Sequence, residues 1–79
     1  MAARLGIALV SAGKPTEAIP VLERVTGDAP DEAAAWAWLA TAYIDAGRFG
    51  DATAVAERLK KDHPDVAKEL LEKIAQRKK

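Results

Sequence analysis

The side chains able to move a proton or hold a metal are few in this 79-residue sequence: one histidine, His63, twelve Asp or Glu, and no cysteine. A zinc-type centre needs three or four His, Cys or carboxylate ligands. His63 has no second histidine or cysteine to work with and stands beside Pro64, so it reads as a structural or solvent-exposed residue. Asp28, Asp31, Glu32 and Asp45 include adjacent carboxylates, the raw material of acid–base catalysis. Asp31 and Glu32, however, stand where a helix should start. There a carboxylate caps free amides and meets the positive end of the helix dipole. The glycines do not have the spacing of a phosphate loop, nor the Lys-Ser/Thr that follows one. The expectation is a protein that is not an enzyme, with no cofactor and no metal.

Composition asks how such a short chain folds at all. A single domain of this size buries only roughly 60–65% of the surface its unfolded chain exposes. Eighteen of the 39 apolar residues are alanine, leaving 21 larger side chains for a core. Alanine favours helix but buries little area. Net charge is zero, yet residues 1–57 carry −4 and residues 58–79 carry +4. The basic end reads first as a solvated final helix with cations at its negative pole. No apolar run approaches the roughly 20 residues that span a bilayer. The apolar stretch Leu5–Ala12 faintly resembles the core of a signal peptide, but it also carries the repeat described next. It is read as folded structure, and the setting as cytoplasmic.

The elements that position these residues come from an internal repeat. Shifted by 34 positions, Leu5 meets Leu39, Ala8 meets Ala42, Gly13 meets Gly47, Ala18 meets Ala52, Glu23-Arg24 meets Glu57-Arg58 and Pro30 meets Pro64. Residues 2–32 against 36–66 give 12 identities, enough to define one period and hence a repeat architecture. Each period reads as two helices. In the second, Asp31 caps a helix whose Trp36, Leu39, Ala40, Tyr43 and Ala46 share one face. Gly47 supplies the left-handed turn that ends it. The next helix buries Ala52, Val55, Ala56 and Leu59 before His63-Pro64-Asp65 breaks the chain. The spacing predicts helices near 1–12, 15–26, 31–46, 48–61 and 64–77, with positive φ at Gly13 and Gly47 and no strand. Pro20 falls inside the second helix, facing outward, and predicts a mild kink.

Trp36-x-x-Leu39-Ala40-x-x-Tyr43 followed by Gly47, Phe49, Ala52, Leu59 and Pro64 resembles the tetratricopeptide repeat. Leu5-Gly6-x-x-Leu9, Gly13, Ala18, Leu22, Val25 and Pro30 repeat the pattern with a truncated start, and Ala56 replaces a usual aromatic. The resemblance implies an all-α domain over 1–79, a right-handed α-solenoid. Repeat 1 would span 1–32, repeat 2 33–66, and a capping helix 66–79. In that last helix Val66, Ala67, Leu70, Leu71 and Ile74 form the apolar stripe. A polar outer face at the end of a stacked array maintains solubility.

The resemblance also implies a protein–protein interaction module. In the family the first helix of each hairpin lines a concave groove. Carried over by position, the groove would hold Ala3, Ile7 and Val10 from repeat 1, and Ala34, Ala37, Trp38, Thr41, Ile44 and Asp45 from repeat 2. This small or apolar floor suits a partner helix or peptide. The Lys/Asn/Arg clamp that some relatives use for acidic C-terminal tails does not fit. The chain has no asparagine, and Ala3, Ile7 and Trp38 stand at the clamp positions. Trp36 should pack inside its hairpin near Ala52 and Tyr43, and Trp38 should be partly exposed. Self-association is the alternative, as a homodimer or higher oligomer through the nearly all-apolar helix 1–12, with Ile7, Leu9 or Val10 at its centre. The same exposed face would result if the chain were the end of a longer array. Nucleic acid and membrane are not expected partners. The basic residues lack an interleaved aromatic platform.

Overall fold

The computed structural model describes the backbone of residues 2–78 and the side chains of residues 4–78. Five helices follow one another: α1 (Ala2–Ser11), α2 (Pro15–Asp28), α3 (Ala33–Asp45), α4 (Phe49–Leu59) and α5 (Pro64–Lys78). There is no strand among the described residues. Consecutive helices pack as hairpins. In addition α1 touches α3 and α3 touches α5, whereas α2 and α4 do not meet. The helices therefore form two layers, α1–α3–α5 on one side and α2–α4 on the other.

The repeat extends to the backbone hydrogen bonds. At the end of α1, Gly13 N–H donates to Val10 O (3.0 Å) and Lys14 N–H to Leu9 O (2.8 Å). At the end of α3, Gly47 N–H donates to Ile44 O (3.1 Å) and Arg48 N–H to Tyr43 O (2.7 Å). This paired 5→2 and 6→1 arrangement is the Schellman motif, which needs a left-handed residue after the cap. Gly13 and Gly47 provide it at φ 77° and 79°, and no other residue among those described has positive φ. The contact that usually closes the motif joins the residues before and after the turn. Here Arg48 supplies it, with its guanidinium 4.9 Å from the Tyr43 ring centre.

The core is built on alanine. Ala18, Ala40, Ala42, Ala52 and Ala56 are completely buried, and Leu22 and Leu39 are the largest side chains fully enclosed. Small residues let helix backbones approach closely, which compensates in contact for what alanine lacks in area. Gly6 shows how closely. A Cβ placed on it would lie 2.5 Å from Leu22 Cγ and Cδ2. Pro20 lies exposed within α2, as its outward position required.

Two local expectations are corrected. Helix α3 begins at Ala33, one residue later than the Asp31 cap implied; Glu32 occupies the N-cap position and its side chain makes no capping hydrogen bond. Trp36 is half-buried at the edge of the core. Its Nε1–H donates to Pro30 O (2.8 Å), and Arg58 lies 4.4 Å over the ring, which draws the indole toward the inter-hairpin loops. Helix α5 starts at Pro64, as the spacing predicts, with Ala67, Leu70 and Ile74 buried and Val66 and Leu71 half-buried.

Candidate protein-binding groove

On α3, residues 34, 38, 41 and 45 fall within about 60° of one another at 100° per residue. Ala34 and Asp45 are exposed, and Trp38 and Thr41 half-buried, so these four form the outward strip of the central helix. Ala37, half-buried, lies on its flank toward α5, where it lines a 160 Å³ cleft with Thr41, Val66, Glu69, Leu70 and Lys73. A second cleft of 270 Å³ continues along the same furrow, between Thr41, Ile44 and Asp45 on α3 and Lys73, Gln76 and Arg77 on α5. Trp38 lies on the other flank, toward α1. From α1 the half-buried Ile7 holds the position equivalent to Thr41.

Two of the sequence-predicted groove residues give no open surface. Val10 is 9% exposed and Ile44 4% exposed, and both belong to the core. They are equivalent by the 34-residue shift, and each is covered because the next first-layer helix packs against its flank. Ala3 lies outside the described side chains. Ile7, Ala34, Ala37, Trp38, Thr41 and Asp45 remain on the face. The expected small apolar floor is therefore only half of the site. Helix α5 adds a polar wall of Glu69, Lys73, Gln76 and Arg77 that the positional carry-over did not include.

The electrostatics of this face are mixed. Arg77 Nη2 pairs with Asp45 Oδ1 at 2.5 Å, a contact half open to water that ties the ends of α3 and α5. Exposed pairs of this kind contribute only about 0.2–1 kcal/mol. Lys73 projects into both clefts. The Thr41 hydroxyl donates to Ala37 O (3.0 Å), so it is spent on its own helix. Behind the groove, the Tyr43 hydroxyl donates to Glu23 Oε2 (2.5 Å), locking α3 to α2. Burial and the Glu23 carboxylate push the Tyr43 phenol up to about 12. Every buried side-chain polar atom among the described residues has a partner, and no three His, Cys, Asp or Glu residues gather there as a metal site would need. The arrangement offers steric shape, one half-exposed indole and a row of charges. These are means of holding another chain.

A second depression of 300 Å³ lies at the junction of the two inter-hairpin loops, beside Trp36, Arg58 and His63. Arg58 already covers the indole face there, and the acidic Asp31 and Asp62 line the same walls as Lys61.

No described helix is long and apolar enough to cross a membrane. The family model for the tetratricopeptide repeat matches residues 9–76. Neither the search of curated proteins nor that of solved structures gives a match.

Proposed function

This chain belongs to the tetratricopeptide repeat family, whose members mediate protein–protein interaction and are typically non-catalytic scaffolds; we propose that it binds a helix or extended peptide of another protein along the α1–α3–α5 face. The observation that carries this reading is the furrow between α3 and α5, open on one side, with the half-buried Trp38 across the outward strip of α3 from it. An indole in this setting offers a large, rigid contact at low entropic cost, as binding hot spots do. The occupant would set an apolar side chain over Trp38 and Ile7 and polar side chains against Lys73, Gln76 and Arg77. The test is selection of peptides from a random displayed library on the wild-type chain. The selected peptides should lose at least tenfold in affinity on Trp38→Ala and on Lys73→Glu. Peptides indifferent to both substitutions would refute the assignment of the face.

A second reading has its own observation. Leu5 is 56% exposed, the one large hydrophobic side chain so exposed among those described. This favours self-association through α1.

A further inference from the structure

The charges along the α3–α5 furrow are not all in the same state. At one end Asp45 and Arg77 meet across the cleft and neutralise each other. Glu69 and Lys73 stand one turn apart on α5, both exposed, and make no ion pair with any described residue. The cleft they line is otherwise Ala37, Thr41, Val66 and Leu70, and the Thr41 hydroxyl is already bonded to Ala37 O. Among the described residues, the furrow therefore presents one unpaired anion and one unpaired cation in fixed order. They are about 6 Å apart along the axis of α5. Attraction between two such residues on one exposed helix is weak, which leaves both available to a ligand.

We propose that the occupant of the furrow is an extended segment of another protein with a basic and an acidic residue two positions apart, the basic one against Glu69 and the acidic one against Lys73; this rests on the peptide-groove reading. Alternate residues of an extended chain point to the same side about 6.6–6.8 Å apart, close to one turn of α5. The residue between them points the other way, toward the outward strip of α3 and Trp38. A helix also brings a side chain round every four residues, but it is about 10–12 Å across. Clefts of 160 and 270 Å³ accept side chains and not such a cylinder. The apolar stripe of a helix would also cover Glu69 and Lys73 without partners, and desolvating an unpaired charge is costly. A ligand with one sign of charge would satisfy one of the two and repel the other.

Exchanging the two charges tests the order without changing composition. Random displayed peptides are selected on wild type, on Glu69→Lys/Lys73→Glu and on Lys68→Glu/Glu72→Lys. The last pair has the same spacing but lines the outer side of α5. Wild type should enrich opposite charges two positions apart in one order, which also gives the direction of the bound peptide. The first exchange should enrich the reverse order, and the second should match wild type. Synthetic peptides that differ only in charge order should differ about tenfold in affinity, with the preference inverted by the first exchange. The difference should shrink in 1 M salt, where the screening length is about 3 Å. If the first exchange loses its helical circular dichroism, Glu69→Gln/Lys73→Gln takes its place and should erase the preference. Enriched peptides with no charge order, or with the same order on wild type and the first exchange, overturn the proposal. If those peptides still weaken on Trp38→Ala, the peptide groove stands without it. Failure to enrich any peptide on wild type overturns both.

Discussion

Gly6→Ala puts the closest helix contact in the molecule to a test. A methyl on Gly6 would sit 2.5 Å from two carbons of Leu22, whereas favourable carbon contacts lie at about 3.5–4.0 Å. Leu22 is 0% exposed, so its side chain cannot swing into water; α1 must move outward by about 1 Å or Leu22 must leave its rotamer. Overpacking of this kind costs about 1–3 kcal/mol. Against it stands the helix propensity of alanine over glycine, about 1 kcal/mol. The net expectation is a loss of about 1 kcal/mol. Gly27→Ala and Gly50→Ala are the controls. Both glycines are exposed in helices with nothing within 4 Å of an added Cβ, so both changes should be neutral or stabilising by up to about 1 kcal/mol. Urea titrations with unchanged m-values read all three. The contact is confirmed by a cycle with Leu22→Ala, which alone should cost about 2–5 kcal/mol. In the double variant the new methyl occupies space that Leu22 vacates, and the two losses should sum to less by at least about 0.5 kcal/mol. If Gly6→Ala stabilises as much as Gly50→Ala, the packing argument is wrong.

Other expectations follow from single contacts. Gly47→Val should cost at least about 1–2 kcal/mol, because φ is +79° there, and Gly50→Val should cost less; thermal melts rank them. Trp36→Ala should cost roughly 2–3 kcal/mol, below the roughly 3–5 of a fully buried tryptophan, because it is half-buried. Trp38→Ala should chiefly affect groove binding, and the reverse order in chemical denaturation would mean the face is misassigned. The single tyrosine, Tyr43, should titrate near 12 in the folded chain and near 10 in urea, read by phenolate absorbance. A phenol raised by folding contributes stability that is complete below about pH 10 and lost as pH rises toward about 12. Tyr43→Phe should abolish that alkaline loss, and an unchanged pH profile would refute the Tyr43–Glu23 coupling.

Much of the fold was legible in the sequence because the repeat supplies two independent readings of each turn. Gly13 and Gly47 share φ, hydrogen-bond partners and position in the Schellman motif, so the period alone predicts their geometry. Ala56 was harder to judge. In isolation, alanine where the family usually has an aromatic suggests poor packing. The structure shows that volume is traded between helices. Gly6 with Leu22 in the first hairpin corresponds to Ala40 with Ala56 in the second, and Leu22, Ala40 and Ala56 are all completely buried. A large residue on one helix is matched by the absence of a side chain on the other. The 34-residue period relates a residue to its copy, not to its neighbour in space, so this complementarity is not visible in the sequence. Likewise Asp31 reads as a cap by residue type, but the helix starts at Ala33 with Glu32 at the N-cap position.

The groove was legible to the extent that it lies on one helix. Positions 34, 37, 38, 41 and 45 were readable from the repeat, since exposure on α3 follows helical angle. What the repeat did not carry was the contribution of α5, which departs from the register of α3. Glu69 and Lys73 stand 34 residues after Ala35 and Leu39, yet Ala35 and Leu39 are buried and Glu69 and Lys73 are exposed. Advancing the register by one residue aligns buried Leu70 and Ile74 with Ala35 and Leu39. The helix is turned by about 100°, the angle of one residue. That rotation points the polar stripe of α5 into the furrow beside Thr41 and Asp45 and opens its Leu71–Ala75 side at the end of the solenoid. The apolar stripe Val66, Ala67, Leu70, Leu71 and Ile74 contained this information. Its centre lies one residue off the 34-residue frame, and that offset gives the α3–α5 furrow a charged wall and opens an apolar groove along the outer side of α5.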